Sequence, residues 1–194
     1  MKKIPTIFER DWDGDLSRVV DKINPKAQWV FDGEGWPTRK LDGTSCMIDD
    51  DAFLWKRREL RKGEIIPAQF LPAGHDDETG KTVGWIPVED GNEDRWHRDA
   101  YIRLGEGVRN DGTYELVGPK IQGNPEKYGA HQLVPHDSHD LRLDGGGLPR
   151  VPLTFEGLRV YLSEHDYEGI VWHHEDGRMA KIKARDFGIR RPKS

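Results

Sequence analysis

The chain has 194 residues, 34% of them charged, with a formal net charge of -5 and a mean hydropathy of -0.83. That length suits one domain, and no apolar run approaches the roughly 20 residues of a membrane span. The single cysteine, Cys46, excludes an internal disulfide and any multi-cysteine zinc site, and a pI near 5.9 argues against a general nucleic-acid coater. Met1-Lys2-Lys3-Ile4-Pro5 has a basic start but no apolar stretch behind it, so no secretory signal is expected and the cytoplasm is the expected location.

Residues 4–8 suit a short strand. From Asp15 to Ile23, apolar residues at 16, 19, 20 and 23 make a helical stripe, which Asn24-Pro25 ends. Residues 28–31 read as a strand and 32–35 as a turn. Extended segments follow at 36–40, 44–48 and 52–57, with Asp49-Asp50-Asp51 as a turn. Residues 71–92 are loop except for a strand at 82–87. Residues 92–104 suit a helix with Trp96, Ala100, Tyr101 and Leu104 on one side. Strands are expected at 112–117 and 131–134, with a Gly/Pro loop at 118–129 between them and another loop at 135–150. Thr154 caps a helix at 155–163. Residues 168–172 and 179–184 form a hairpin around Glu175-Asp176-Gly177-Arg178. Strands outnumber helices and neighbours pair as hairpins, so the expected class is α+β with mostly antiparallel sheet and flanking helices.

Four charged clusters carry the chemistry. Lys40-Leu41-Asp42-Gly43 offers a lysine before a tight turn, although Lys-x-Asp-Gly alone is a weak signal. Glu115 stands in Tyr114-Glu115-Leu116-Val117-Gly118 and Glu168 in Glu168-Gly169-Ile170-Val171, each with apolar neighbours. Lys181 and Lys183 flank Ile182, so strand alternation points both lysines to one face. Two like charges side by side on a sheet repel, and a polyphosphate would offset that repulsion. Two stretches break the acidic trend, Lys56-Arg57-Arg58-Glu59-Leu60-Arg61-Lys62 and the tail from Arg178 to Lys193. Either is equally a solvated charged face.

Taken in order, these motifs resemble the covalent nucleotidyltransferase superfamily, which includes ATP-dependent DNA and RNA ligases and mRNA capping enzymes. The run from Tyr114 to Gly123, followed by Asn124-Pro125 and by His131-Gln132-Leu133-Val134-Pro135-His136, is similar to the RNA ligase branch, in particular a small 5′-to-3′ RNA ligase family. The resemblance spans residues 38–183. It implies a nucleotidyltransferase domain of the ATP-grasp-like, DNA ligase adenylation type, forming the whole chain with no appended OB-fold or helical domain. It implies an ATP-dependent RNA ligase, acting as a monomer away from membranes, that joins 5′-phosphate and 3′-hydroxyl ends through lysyl-AMP and RNA-adenylate. Mg²⁺ or Mn²⁺ would be the metal.

Residue by residue, the resemblance makes Lys40 the nucleophile toward the α-phosphate of ATP. Asp42 would arrange metal-bound water and the nucleotide. Either Arg57 or Arg58 would contact phosphate. Glu115 would meet the ribose or metal hydration, and Glu168 would hold the hydrated metal. Val171 would pack on adenine, while Lys181 and Lys183 would neutralise the α-phosphate. The family's adenine-stacking aromatic has no counterpart in 131–134, where Val134 or His131 stands in its place. A GTP-using capping reaction, DNA nick sealing and a non-catalytic RNA-binding module are the competing readings. Outside this set, His131, His136 and His139 with Asp137 and Asp140 match no metal-ligand spacing. Cys46 reads as a core residue and Gly145-Gly146-Gly147 as a loop rather than a phosphate cradle. Trp36 and Trp55 are the tryptophans nearest the candidate residues.

Overall fold

A computed structural model describes residues 4–77, 79–105, 109–145 and 150–191. It is an α+β structure in which every pair of neighbouring strands in the described sheets is antiparallel. The chain divides into two compact units, one built from residues 42–137 and the other from 4–41 with 138–193.

The discontinuous unit begins with β1 (Phe8–Arg10) and β2 (Val19–Ile23), which pair with each other alone. The helix expected over 15–23 is instead a turn followed by the strand β2. Of its apolar stripe only Val19 is buried, while Leu16 is 56% exposed. An apolar face that meets no helix-sized partner does not hold a helix together. The strand expected at 28–31 is instead the short helix α1 (Gln28–Phe31). The reason lies just before it, where Asn24 accepts a hydrogen bond from the Lys26 amide and Pro25 opens a 3₁₀ turn. Asn24-Pro25 is a helix start rather than a helix stop.

β3 (Trp36–Lys40), β10 (Gly169–His173) and β11 (Met179–Lys183) make a three-stranded sheet in the order β11-β10-β3. Its core face carries Ile170, Trp172, Ala180 and Ile182, packed with Phe8, Val30 and the helix α3 (Phe155–Glu164) through Leu158 and Leu162. Thr154 caps α3 as expected, accepting from the Gly157 amide at 3.1 Å. Gly146 and Gly147 lie outside the described residues, as does the end of the basic tail.

The continuous unit is a six-stranded sheet. Its strands are β4 (Thr44–Ile48), β5 (Leu54–Leu60), β6 (Leu71–Asp76), β7 (Lys81–Pro87), β8 (Gly112–Val117) and β9 (Gln132–Pro135), in the order β6-β7-β5-β4-β8-β9. The helix α2 (Arg95–Leu104) covers one face, where Ala100 meets Cys46, Ile48, Tyr114, Leu116 and Leu133. Cys46 is a fully buried core residue, and burial pushes its thiol pKa up. β6 falls in a stretch expected to be loop. Its Pro72 and Gly74 disguise it, and both are tolerated because β6 is an edge strand with a register shift between them.

Candidate functional site

The three-stranded sheet gathers four of the sequence-derived residues. Its register sets Lys183, Gly169 and Lys40 side by side in one row and Lys181, Val171 and Thr38 in the row after next. Residues of alternate rows share a face, so Lys40, Lys181, Lys183 and Val171 all stand opposite the apolar core. Gly169 makes the crowding possible. A β-carbon there would stand 2.2 Å from the Ile182 carbonyl oxygen, so no larger residue lets the strands approach this closely.

Glu168, one step before the row, ties the cluster together. Its Oε2 accepts from Lys40 Nζ at 2.5 Å and its Oε1 accepts from Lys183 Nζ. Burial pushes the Glu168 carboxyl up, but Lys40 and Lys183 outweigh it and hold the group below its ordinary range. Lys181 is different. Burial first, then Lys183 and Lys40, push it down to about 8. Three lysines with one carboxylate leave a surplus of positive charge in a half-buried place, which is a setting for a phosphate. Trp36 follows on the same face, stacked on His173 at 6.0 Å, while Thr38 Oγ1 lies 2.9 Å from His173 Nε2.

The six-stranded sheet carries the rest. Arg57 sits opposite Trp85, Glu115 lies between Ser45 and Val134, and Cys46 faces Lys56. Arg57, Ser45, Glu115 and Val134 thus share the face away from α2, with Trp55 one pair along. Arg58 points to the other face, where it is exposed and lies 3.5 Å from Glu64. Of the two arginines, the register places Arg57 on the Glu115 face, in the same row with Ser45 between them. His131 is withdrawn from any base-stacking role. It is buried, its ring stacks on Trp96 at 4.3 Å, and its nitrogens meet Asp99 and the Lys120 amide. Val134 remains half-buried on the Glu115 face.

Two carboxylates hold the turn after the lysine. Glu115 Oε1 accepts the Gly43 amide and Glu126 Oε1 accepts the Asp42 amide, each at 3.0 Å. The second oxygen of Glu115 meets His136 Nε2 at 2.9 Å, and His136 Nδ1 meets Thr113 Oγ1 at 3.0 Å. Gly43 is dictated by this packing, since a β-carbon would stand 2.2 Å from the Leu116 carbonyl oxygen. Glu126 was not singled out from the sequence, since it lies in a segment without periodicity and only an arrangement in space identifies it. His136 stood in the motif that resembles the RNA ligase branch and among histidines that match no metal-ligand spacing, and neither pointed to Glu115. Ser45, whose buried hydroxyl has no partner among the described residues, was equally silent.

No group of three or more His, Cys, Asp or Glu suited to a metal occurs among the described residues. Both oxygens of Glu168 and both of Glu115 already have protein partners. Such carboxylates suit contact with the water shell of a hydrated Mg²⁺ better than direct ligation.

The family model of RNA ligase 1 matches residues 107–194, the part of the chain that holds Glu115, Glu168, Lys181 and Lys183. A protein named RNA ligase 1 from Pongo abelii is 26% identical, in an alignment taking in 79% of this chain and 67% of the relative. One from Danio rerio is 25% identical over 98% of this chain and 82% of its own length. One from Rattus norvegicus is 30% identical, over 69% of this chain and 46% of the relative. The chain is thus similar to proteins named RNA ligase 1, whose name fits the branch that its motifs resemble.

Proposed function

We propose that the chain is an ATP-dependent RNA ligase that joins a 5′-phosphate to a 3′-hydroxyl. The observation that supports this most is the row Lys183-Gly169-Lys40 with Lys181 on the same sheet face, three lysines of which Lys40 and Lys183 share the Glu168 carboxylate. In the first step Lys40 Nζ attacks the α-phosphorus of ATP. A nitrogen–phosphorus bond forms, the bond to pyrophosphate breaks, and Nζ gives up a proton. Lys181 and Lys183 stabilise charge developing on the phosphate, and Lys40 leaves Glu168 as the phosphate enters.

The AMP then passes to the RNA 5′-phosphate, and the 3′-hydroxyl displaces it to seal the strand. Val171 and Val134 supply apolar contact for the base, and Arg57 supplies a phosphate contact. Glu115 and Asp42 bear on the ribose and on the metal's water. Mg²⁺ or Mn²⁺ would supply neutralising charge at the phosphates, with Glu168, Glu115 and Asp42 as the carboxylates facing its water shell. The reading carries with it a monomer that works in the cytoplasm on RNA ends.

Incubation with α-labelled ATP and Mg²⁺ tests it. The protein is expected to take up label, and Lys40→Ala is expected to take up none. Equal labelling of Lys40→Ala overturns the nucleophile. Label from GTP but not ATP favours a capping-type reaction, and sealing of nicked DNA but not RNA favours a DNA ligase.

A further inference from the structure

A second cluster of side chains lies on the opposite face of the three-stranded sheet from Lys40, where Arg39 stands in the row of Ile170. The Arg39 guanidinium carbon is 4.9 Å from the Tyr167 ring centroid. His165 continues the group. Its ring lies 5.2 Å from that of Tyr167 and stacks on Tyr161 at 4.1 Å with the planes 20° apart. His165 Nδ1 is 2.7 Å from the Tyr161 carbonyl oxygen, which fixes the imidazole at the end of α3. Next to these rings is a cavity of about 270 Å³ lined by His165, Tyr167, Arg190 and Arg191 among others. Asp166 in its wall is held by Arg191 at 2.7 Å. Arg190 is exposed, with Glu164 as the other acid on the rim.

Stacked aromatic rings beside arginines are how proteins hold single-stranded nucleic acid, the rings taking bases and the cations taking phosphates. The cavity is smaller than the roughly 300–1,000 Å³ of pockets for free small molecules, so one unit of a strand suits it. We propose that it binds one nucleotide of the RNA strand, the base against Tyr167 and His165 and the phosphate against Arg190. The proposal rests on the ligase reading for its choice of RNA. It adds where the strand lies, which is beside Tyr167 and the C-terminal end of α3, on the Arg39 face of the three-stranded sheet rather than the Lys40 face.

The test is binding of a short 5′-phosphorylated single-stranded RNA with a fluorophore, followed by anisotropy across a salt series. Tyr167→Ala is expected to weaken binding about fivefold or more, and Tyr167→Phe to keep it. Arg190→Ala is expected to weaken it and to flatten the salt dependence by about one phosphate contact. Thermal unfolding of each variant checks the fold. If Tyr167→Ala does not fold, exposed Arg190 carries the test. Wild-type protein that binds RNA while Tyr167→Ala and Arg190→Ala bind it equally well overturns this inference and leaves the ligase reading intact. Wild-type protein that takes label from ATP but binds no RNA overturns the RNA substrate and this site together. Loss of RNA binding in the variants supports the site even in a protein that takes no label.

Discussion

Glu168 Oε2 stands 2.5 Å from Lys40 Nζ, and the same carboxylate also receives Lys183. One acid thus compensates two ammonium groups that burial has partly stripped of water. Glu168→Gln removes the charge and keeps the shape. Breaking a buried pair costs about 3–5 kcal/mol, and these side chains, 13% to 21% exposed, lie toward the lower end at about 2–3 kcal/mol. Urea unfolding at pH 7 checks it. The carboxyl's folded pKa lies below its ordinary 4.5. Its stabilisation is therefore full above that value and fades as the pH falls through the lower folded one. The gap between wild type and Glu168→Gln is expected to close in acid. A gap that stays constant down to pH 3 would sink the assignment.

Lys181 contributes with the opposite sign. Its pKa falls from 10.5 to about 8, because burial and the neighbouring lysines disfavour its charge. Between those values the unfolded chain binds the extra proton, so stability rises with pH across that window. At pH 7 the charged group costs about 3 kcal/mol. Lys181→Met is expected to raise the melting temperature at pH 7 and to lose that advantage by about pH 10. On the ligase reading the same variant loses self-labelling with ATP. A lysine kept at a cost in stability is then explained by the phosphate it meets.

Arg57 and Arg58 separate cleanly by face. Arg57 shares Glu115's side of the six-stranded sheet, and Arg58 lies on the other side beside Glu64. Arg57→Ala is expected to lower the rate of lysine labelling by about two orders of magnitude, the cost of one charge-stabilising donor. Arg58→Ala is expected to stay near the wild-type rate. The rate constants of single-turnover labelling decide between them, and a reversed order would mean that the strand's register is wrong.

That contrast also marks how far the sequence could be read. Alternation alone put Lys181 and Lys183 on one face, because period two is a property of the strand itself. It could not choose between consecutive arginines, since the choice depends on which face the partner strands bury. The 15–23 segment failed for a related reason. Its stripe at 16, 19, 20 and 23 matches a helix, but a stripe signals a helix only when something covers it, and Leu16, Val20 and Ile23 stay exposed. Residues 28–31 failed because Trp29-Val30-Phe31 favours a strand locally, while the Asn24 cap and Pro25 start a helical turn just upstream. Glu126 carried no signal at all, and His136 none that pointed to Glu115. A carboxylate that receives a backbone amide from 84 residues away leaves no mark on its own neighbours.

Lys56 and Asp94 supply the last test, away from the candidate chemistry. Lys56 Nζ lies 2.5 and 2.6 Å from the two Asp94 oxygens, and Asp94, 1% exposed, also accepts the Glu89 amide at 2.9 Å. Burial pushes the Asp94 carboxyl up, yet the Glu89 amide and Lys56 outweigh it and hold the pKa low. Burial likewise holds His97, 3.7 Å from Asp94, on the neutral side, so it offers Asp94 no second cation. Asp94→Ala strands a lysine ammonium and a backbone amide together, and is expected to cost about 3–5 kcal/mol. The pair as a whole is worth far less, because both charges were stripped of water to form it. Lys56→Met combined with Asp94→Leu is therefore expected to recover most of the single-variant loss. Urea unfolding of the two singles and the double measures the coupling. Additive losses would show that Lys56 and Asp94 act independently, and would leave the 2.5 Å contact without energetic weight.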